Sequence, residues 1–599
     1  MPLPIRDYAL IGDCETAALV GRNGSIDWLC WPRFDSEACF AALLGEEENG
    51  AWRIAPVAER GRSTRRYLGD APVLETTFET ADGVVTVTDF MPVRGAASDL
   101  VRIVTGRAGR VPMRSALRLR FGYGRASPWI ERAHDGEIKA IGGPHAVVLR
   151  AGTPQTTQHG DCLSEFDLGA GERVAFVLTY FASHHPTPDA VEAEAALNET
   201  LERWRRWLSR CAYDGPYGKP VWRALMVMKA LTYRPTGGMV AAATTSLPER
   251  IGGERNWDYR YCWLRDATFM LLAFLHSGFE EEAFAWRDWL VRAVAGDPRD
   301  MQPIYGIAGE QHLLEWVTPD LRGYLDSAPV RIGNAAYRQR QLDVYGEVLD
   351  ALHQARRHDR GHHEASWSLQ RAIVDHLTEH WREPDCGIWE VRSEPLHFTH
   401  SKAMAWVAFD RAVQAIERFG LEGDLDRWRR MCEENRHEVL TKGFDAELGS
   451  FTRAYGSGDV DASLLLLPQV GFIDARDPRM IGTVRAIELR LLQDGLLRRY
   501  DTRQSDDGLP PGEGAFMAAS FWLADTYIMQ GRIEDAEALF ERLLACQNDV
   551  GLLPEEIDPR TGAFLGNFPQ ALSHLSLVDT AYNLAEARGP AVERGARDG

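Results

Sequence analysis

Apolar positions divide the chain into two parts with different periods. From the start to about residue 181, short alternating or apolar runs, among them 83–88, 100–104, 114–121 and 146–149, are separated by Gly, Asp and Pro at strand-like intervals. This pattern predicts a β-sandwich over residues 1–186. Near Pro186 the period changes, and Val191, Ala195, Leu201, Trp204 and Leu208 recur at helical spacing with charges between them, so 187–213 reads as a linker helix. Beyond it about twelve helical segments follow, near 218–233, 263–277, 280–295, 337–357, 363–381, 399–418, 423–441, 459–470, 479–493, 514–529, 534–547 and 571–587. Strand signals between them are sparse, and glycines such as Gly278, Gly420 and Gly531 punctuate the connections. Twelve helices over 214–590 suit a ring of six helical hairpins walling a central pit, with an irregular helical array as the competing arrangement. Residues 591–599 read as a short frayed tail.

In such a ring, polar loops at one mouth converge, and three segments there carry candidate chemistry: 251–266, 383–398 and 500–516. The first runs Arg255-Asn256-Trp257-Asp258-Tyr259-Arg260-Tyr261-Cys262-Trp263-Leu264-Arg265-Asp266. Its aromatic rings offer flat faces for the C–H surfaces of a sugar, and its charged groups can grip hydroxyls. Arg265 with Asp266 reads equally as an ion pair at a helix start. The second places Glu390 among Ile388, Trp389 and Val391, a dry setting that raises a carboxyl pKa as a general acid requires. The third holds Glu513 between Gly512 and Gly514 just before an apolar helix. There the helix dipole would keep it ionised, either as a general base or merely as a first-turn glutamate. The two settings push the carboxyl pKa values apart, as acid and base roles demand.

Composition narrows the partners. The chain has 599 residues, 45% of them hydrophobic and 26% charged, with a formal net charge of −20. That balance disfavours nucleic acid and anionic membranes and favours a small neutral substrate. No apolar run is long enough for a membrane helix, and the start lacks a basic region followed by an apolar stretch, so a cytoplasmic location is expected. Nine scattered cysteines without CxxC spacing read as reduced thiols, and Asp506-Asp507 and His362-His363 are too isolated to hold a metal.

The motifs together resemble glycoside hydrolase family 15, the glucoamylase and bacterial trehalase family, over nearly the full length. Ile5 to Tyr8 and Gly24 to Pro32 look like the N-terminal β-domain of its trehalase-like branch. Arg255 to Asp266, Gly387 to Glu390 and Gly512 to Phe516 look like three active-site blocks of its (α/α)6 barrel. The resemblance implies an inverting, exo-acting α-glucosidase with Glu390 as general acid and Glu513 as general base. It puts Trp263, Arg265 and Asp266 around the innermost glucose, with Trp389 and Asp258 beside them. Gln341, Asp343 and Tyr345, in a further block after Gly333-Asn334, are implied in the adjoining subsite, although helix packing explains them nearly as well. Trehalose is the first choice of substrate. A glucoamylase or isomaltose-type activity, or an inactive carbohydrate-binding protein, are the alternatives. The chemistry itself requires no cofactor, while modulation by phosphate or a divalent cation, and homo-oligomerisation, stay open.

Overall fold

The structure is a computed structural model that describes residues 2–58, 61–132, 136–158, 160–358, 364–585 and 589–595. The first residue of the segment expected at 363–381, the last two of that at 571–587, and the His362-His363 pair lie outside them.

The N-terminal part is built from antiparallel strands arranged around one of unusual length, Ser98–Arg118. Its first half pairs with Arg173–Ala182 and Gly83–Phe90, its second half with Asp161–Gly169 and Ala51–Pro56. Two layers therefore share one strand. The sequence divided this strand into runs at 100–104 and 114–121, because the polar stretch between them breaks the alternation. That stretch is where the strand changes layers: Gly109 has φ of 69°, and a Cβ on Gly106 would lie 2.0 Å from the Gly169 carbonyl oxygen. Arg102, fully buried, ties the layers together. It is paired with Asp89 at 2.7 Å and donates to the carbonyls of Trp52 and Gly24.

Fourteen helices follow among the described residues: α1 (Ala193–Leu208), α2 (Gly218–Ala230), α3 (Ala267–His276), α4 (Glu280–Ala293), α5 (Asp343–His358), α6 (Glu364–His380), α7 (Thr399–Phe419), α8 (Leu425–Lys442), α9 (Leu466–Gln469), α10 (Pro478–Leu491), α11 (Met517–Gln530), α12 (Ile533–Ala545), α13 (Ala571–Ala585) and α14 (Pro590–Gly595). Helix α3 is apolar almost all round and α11 nearly so, as helices packed on every side must be, whereas α8 buries only Trp428, Asn435 and Val439. Helices α3, α5, α7, α9, α11 and α13 neighbour one another in sequence order, and α13 returns to α3, so the inner ring closes. Helices α2, α4, α6, α8, α10 and α12 form the outer ring. Gly420 and Gly531, in the left-handed region at φ of 68° and 81°, end α7 and α11.

Two features depart from the sequence pattern. Strands of two to four residues pair in the mouth loops, such as Thr245–Pro248 with Asn256–Asp258, and Ala515–Phe516 with Glu556–Ile557. Pieces that short carry no readable alternation. Of the expected tail 591–599, the described part through Gly595 is helical, and 596–599 lie outside the described residues. Arg594 of α14 is buried against two buried carboxylates of α5, at 2.6 Å from Asp350 and 2.8 Å from Glu347, while Arg411 donates to its carbonyl. A short segment carrying Glu593 and Arg594 looks solvated until those distant partners are known.

Replacing Arg594 by Ala leaves Glu347 without its ion-pair partner in the core, and stability should fall by about 3–5 kcal/mol. Urea unfolding followed by circular dichroism measures this, and an unchanged midpoint would show that α14 contributes nothing to the ring.

Candidate active site

The inner helices begin at one mouth, so the loops preceding them meet there. The 255–266 block is held from below by the β-domain: Arg260, fully buried, pairs with Asp258 at 2.6 Å and donates to Tyr123 Oη and the Ser36 carbonyl, while Trp28 Nε1 donates to the Ala243 carbonyl. Asp258 also accepts from Gly333 N. It is wholly enclosed and does not line the cavity. The alternation of rings and charges that suggested a sugar-binding Asp258 is here a domain junction.

Above this junction, a cavity is lined by Glu249, Arg255, Trp257, Tyr259, Arg265, Asn334, Trp389, Glu390, Arg392, Arg499, Tyr500 and Asp507. Glu390 stands on a tight turn with Gly387 at φ of 65° and Glu390 itself at 59°. A left-handed glutamate is strained by about 1 kcal/mol or more. The turn is held in place by Gln339 Nε2, which donates to the carbonyls of Glu390 and Val391, and by Trp389 Nε1, which donates to Asp461 at 2.8 Å. Trp263 Nε1 donates to Glu390 Oε1, and an Arg265 guanidinium nitrogen lies 4.0 Å from it. Burial raises the Glu390 pKa, and Arg265 and the Trp263 N–H hold back part of that rise. Arg265 is also paired with Asp266 at 2.7 Å.

Glu513 has a different setting from the one expected. Helix α11 begins only at Met517, after a short strand, so no helix dipole acts on Glu513 from its own first turn. Burial raises its pKa, opposed chiefly by Arg499 at 2.6 Å. The Arg499 guanidinium sits among Glu513, Glu249 at 2.8 Å and Glu556 at 3.4 Å. Glu513 does not line the cavity, and its Oε1 is enclosed without a hydrogen-bond partner.

Glu555, which the sequence reading passed over, is fully buried directly behind Tyr259 of the cavity wall. Tyr259 Oη donates to Glu555 Oε1 at 2.5 Å, Asn567 N donates to Oε2 at 2.9 Å, and burial pushes its pKa up to about 7. The Tyr259 ring packs on Trp263 at 4.9 Å, so one aromatic wall links Glu390 to Glu555. The run Leu552-Leu553-Pro554-Glu555-Glu556, a carboxylate pair directly after apolar residues, was the available signal. Gln341 and Tyr345 line a separate cavity with Arg338, Arg340, His376 and His380. Asp343 is fully buried, with neither carboxylate oxygen hydrogen-bonded, and burial beside Asp385 raises its pKa well above the usual range. The structure thus brings Trp263, Arg265, Asp266, Trp389 and Glu390 together and sets Asp258, Gln341, Asp343 and Tyr345 apart from them.

Both parts of the chain resemble known proteins. Residues 215–582 match the model of the glycosyl hydrolases family 15, and residues 1–164 match a trehalase-like N-terminal domain. The chain is 38% identical to a trehalase of Mycolicibacterium smegmatis, over 99% of this chain and 93% of that protein. It is 36% identical to a trehalase of Thermoplasma volcanium, over 97% and 94%. In fold it is similar to a bacterial glucoamylase complexed with acarbose, with a TM-score of 0.75 over 97% of this chain and 94% of that one, at 14% identity.

Exchanging Arg499 for Leu should leave Glu513 and Glu556 to be accommodated as neutral acids. Folded-state pKa values pushed still higher are compatible with folding below about pH 4.5 and become increasingly costly as pH rises through them. The variant's thermal midpoint should therefore fall, relative to the parent, progressively from pH 4.5 to 7. A pH-independent difference would show that Arg499 does not hold these charges.

Proposed function

Because the chain belongs to glycosyl hydrolases family 15, we propose that it is a trehalase, hydrolysing α,α-trehalose to two glucose molecules with inversion at the attacked carbon. The observation that carries the mechanism is the pair of carboxyl groups joined by one aromatic wall, Glu390 through Trp263 and Glu555 through Tyr259. Full-length identity to trehalases supports the substrate.

In this reading Glu390 gives its proton to the glycosidic oxygen. Burial favours its protonated form, and the Trp263 N–H and Arg265 stabilise the carboxylate that results. Water adds its oxygen to the anomeric carbon from the opposite face and passes a proton to Glu555. A pKa of about 7 matches a base working near neutrality. Glu555 replaces Glu513 in this role because it is hydrogen-bonded to Tyr259 of the cavity wall, whereas Glu513 is paired with Arg499. Arg265 with Asp266 grips the hydroxyls of the innermost glucose, and Trp263 supports its ring. Two carboxyl groups suffice for this chemistry, so no cofactor enters it. The charge of −20 favours a neutral sugar over nucleic acid or an anionic membrane, and nine free cysteines favour a reducing, cytoplasmic location.

Proton NMR at early times tests the stereochemistry. The departing glucose is released as the α anomer by either route, so inversion gives α and β in equal amounts, whereas retention gives α alone. Glu390→Gln and Glu555→Gln should each lower kcat by about 10²-fold or more, and Glu513→Gln should act mainly on stability. A collapse of kcat in a fully folded Glu513→Gln enzyme, with Glu555→Gln near normal, would restore the role to Glu513. The Tyr259 hydroxyl lowers the Glu555 pKa. Tyr259→Phe should therefore move the acidic limb of the kcat/KM profile from about pH 7 to higher pH, and an unmoved limb would detach Glu555 from the base role.

A further inference from the structure

A second cluster lies at the end of the ring opposite the catalytic mouth. His276 and His358 are the last residues of α3 and α5, and Glu593 belongs to α14. His276 Nε2 is 2.7 Å from Glu593 Oε2 and His358 Nε2 is 3.7 Å from Oε1, and the three ligand atoms all lie within 4.8 Å of one another. We propose that these three side chains form a binding site for a divalent transition-metal ion of the zinc class, which clasps the C-terminal helix to the inner ring.

Four observations carry the assignment. Two imidazoles and one carboxylate are the donor set that zinc-class ions take and magnesium does not favour. The His358 Nδ1 lies 3.0 Å from the Gln354 carbonyl, and an N–H there leaves the Nε2 lone pair directed toward Glu593. Among the described residues His276 Nδ1 has no hydrogen-bond partner, so metallation at Nε2 breaks no bond at the other nitrogen. The carboxyl ends of α3 and α5 also bring the negative poles of two helix dipoles to one point, which favours a cation. Ligands around tetrahedral zinc stand about 3.4 Å apart, so closing the site needs about an ångström of side-chain movement. Side-chain exposures of 23% for Glu593 and 30% for His358 leave water free to complete the coordination. Arg357, 3.5 Å from Glu593 Oε1, opposes the cation but is also held by Gln354 and the Glu593 carbonyl. Its charge points to micromolar rather than nanomolar affinity.

The site is remote from the catalytic carboxyls, and its expected effect is on stability, since an ion that binds only the folded chain stabilises it by mass action. The test uses the full chain, free of any polyhistidine tag and treated with EDTA. Zinc titrated by calorimetry should bind once per chain and raise Tm, cobalt should give a visible d–d spectrum, and kcat should not change. His358→Gln, at a part-exposed position, and Glu593→Gln should each weaken zinc binding at least tenfold. Absence of saturable zinc binding, an equal Tm rise with magnesium, or parental zinc affinity in His358→Gln would overturn the proposal.

Discussion

One guanidinium makes the floor of the catalytic pit physically allowable. Arg499 meets Glu249, Glu513 and Glu556, carried by three different mouth loops, in a place almost without solvent. Each ionised carboxylate taken from water costs several kcal/mol unless it is paired. Without this cation the remaining positive charge is Arg255, at 3.8 Å from Glu249 and 4.0 Å from Glu513, and the carboxylates would repel one another until they took up protons. Arg499 also lies over the faces of Trp389 and Phe516, at 5.6 and 5.4 Å, which joins the electrostatic centre to the turn bearing Glu390.

That turn is positioned from two sides. Trp389 and Gln339 fix its backbone, and the 255–266 block brings Trp263 and Arg265 against its carboxyl group. The block is in turn seated by Arg260 on the β-domain. The N-terminal part thus acts as a foundation for the candidate site, and none of its described residues lines the cavity. At the cavity rim Trp257 lies between Arg331 and Arg392, at 4.6 and 4.2 Å, and both arginines are paired with Glu315. A broad flat ring is held there in one orientation.

The sequence was most legible where local pattern and environment coincide. Helical periodicity located the ring of helices, because their buried faces repeat regardless of partner. Glu390 was legible because its apolar neighbours, Ile388, Trp389 and Val391, are adjacent in the chain. Glu513 was misread because its surroundings are not local: Glu249, which shares Arg499 with it, lies 250 residues from that arginine. Asp258 looked like a ligand-binding residue because its partner Arg260 is itself held by Tyr123 and Ser36 of the other domain, which the local sequence does not show. The helical end of the chain was hidden for the same reason, since Arg594 reads as solvated unless Glu347 and Asp350 are known to wait in α5.

The strand Ser98–Arg118 has a mechanical consequence. Because the two layers of the β-domain hydrogen-bond to successive halves of one continuous strand, opening of either layer frees one half of a strand whose other half the second layer holds. Tyr123 follows this strand closely and anchors Arg260. Loss of order in the β-domain therefore reaches the base of the pit in the same cooperative step. A region with no catalytic group thus sets an upper limit on the temperature at which the catalytic turn stays aligned.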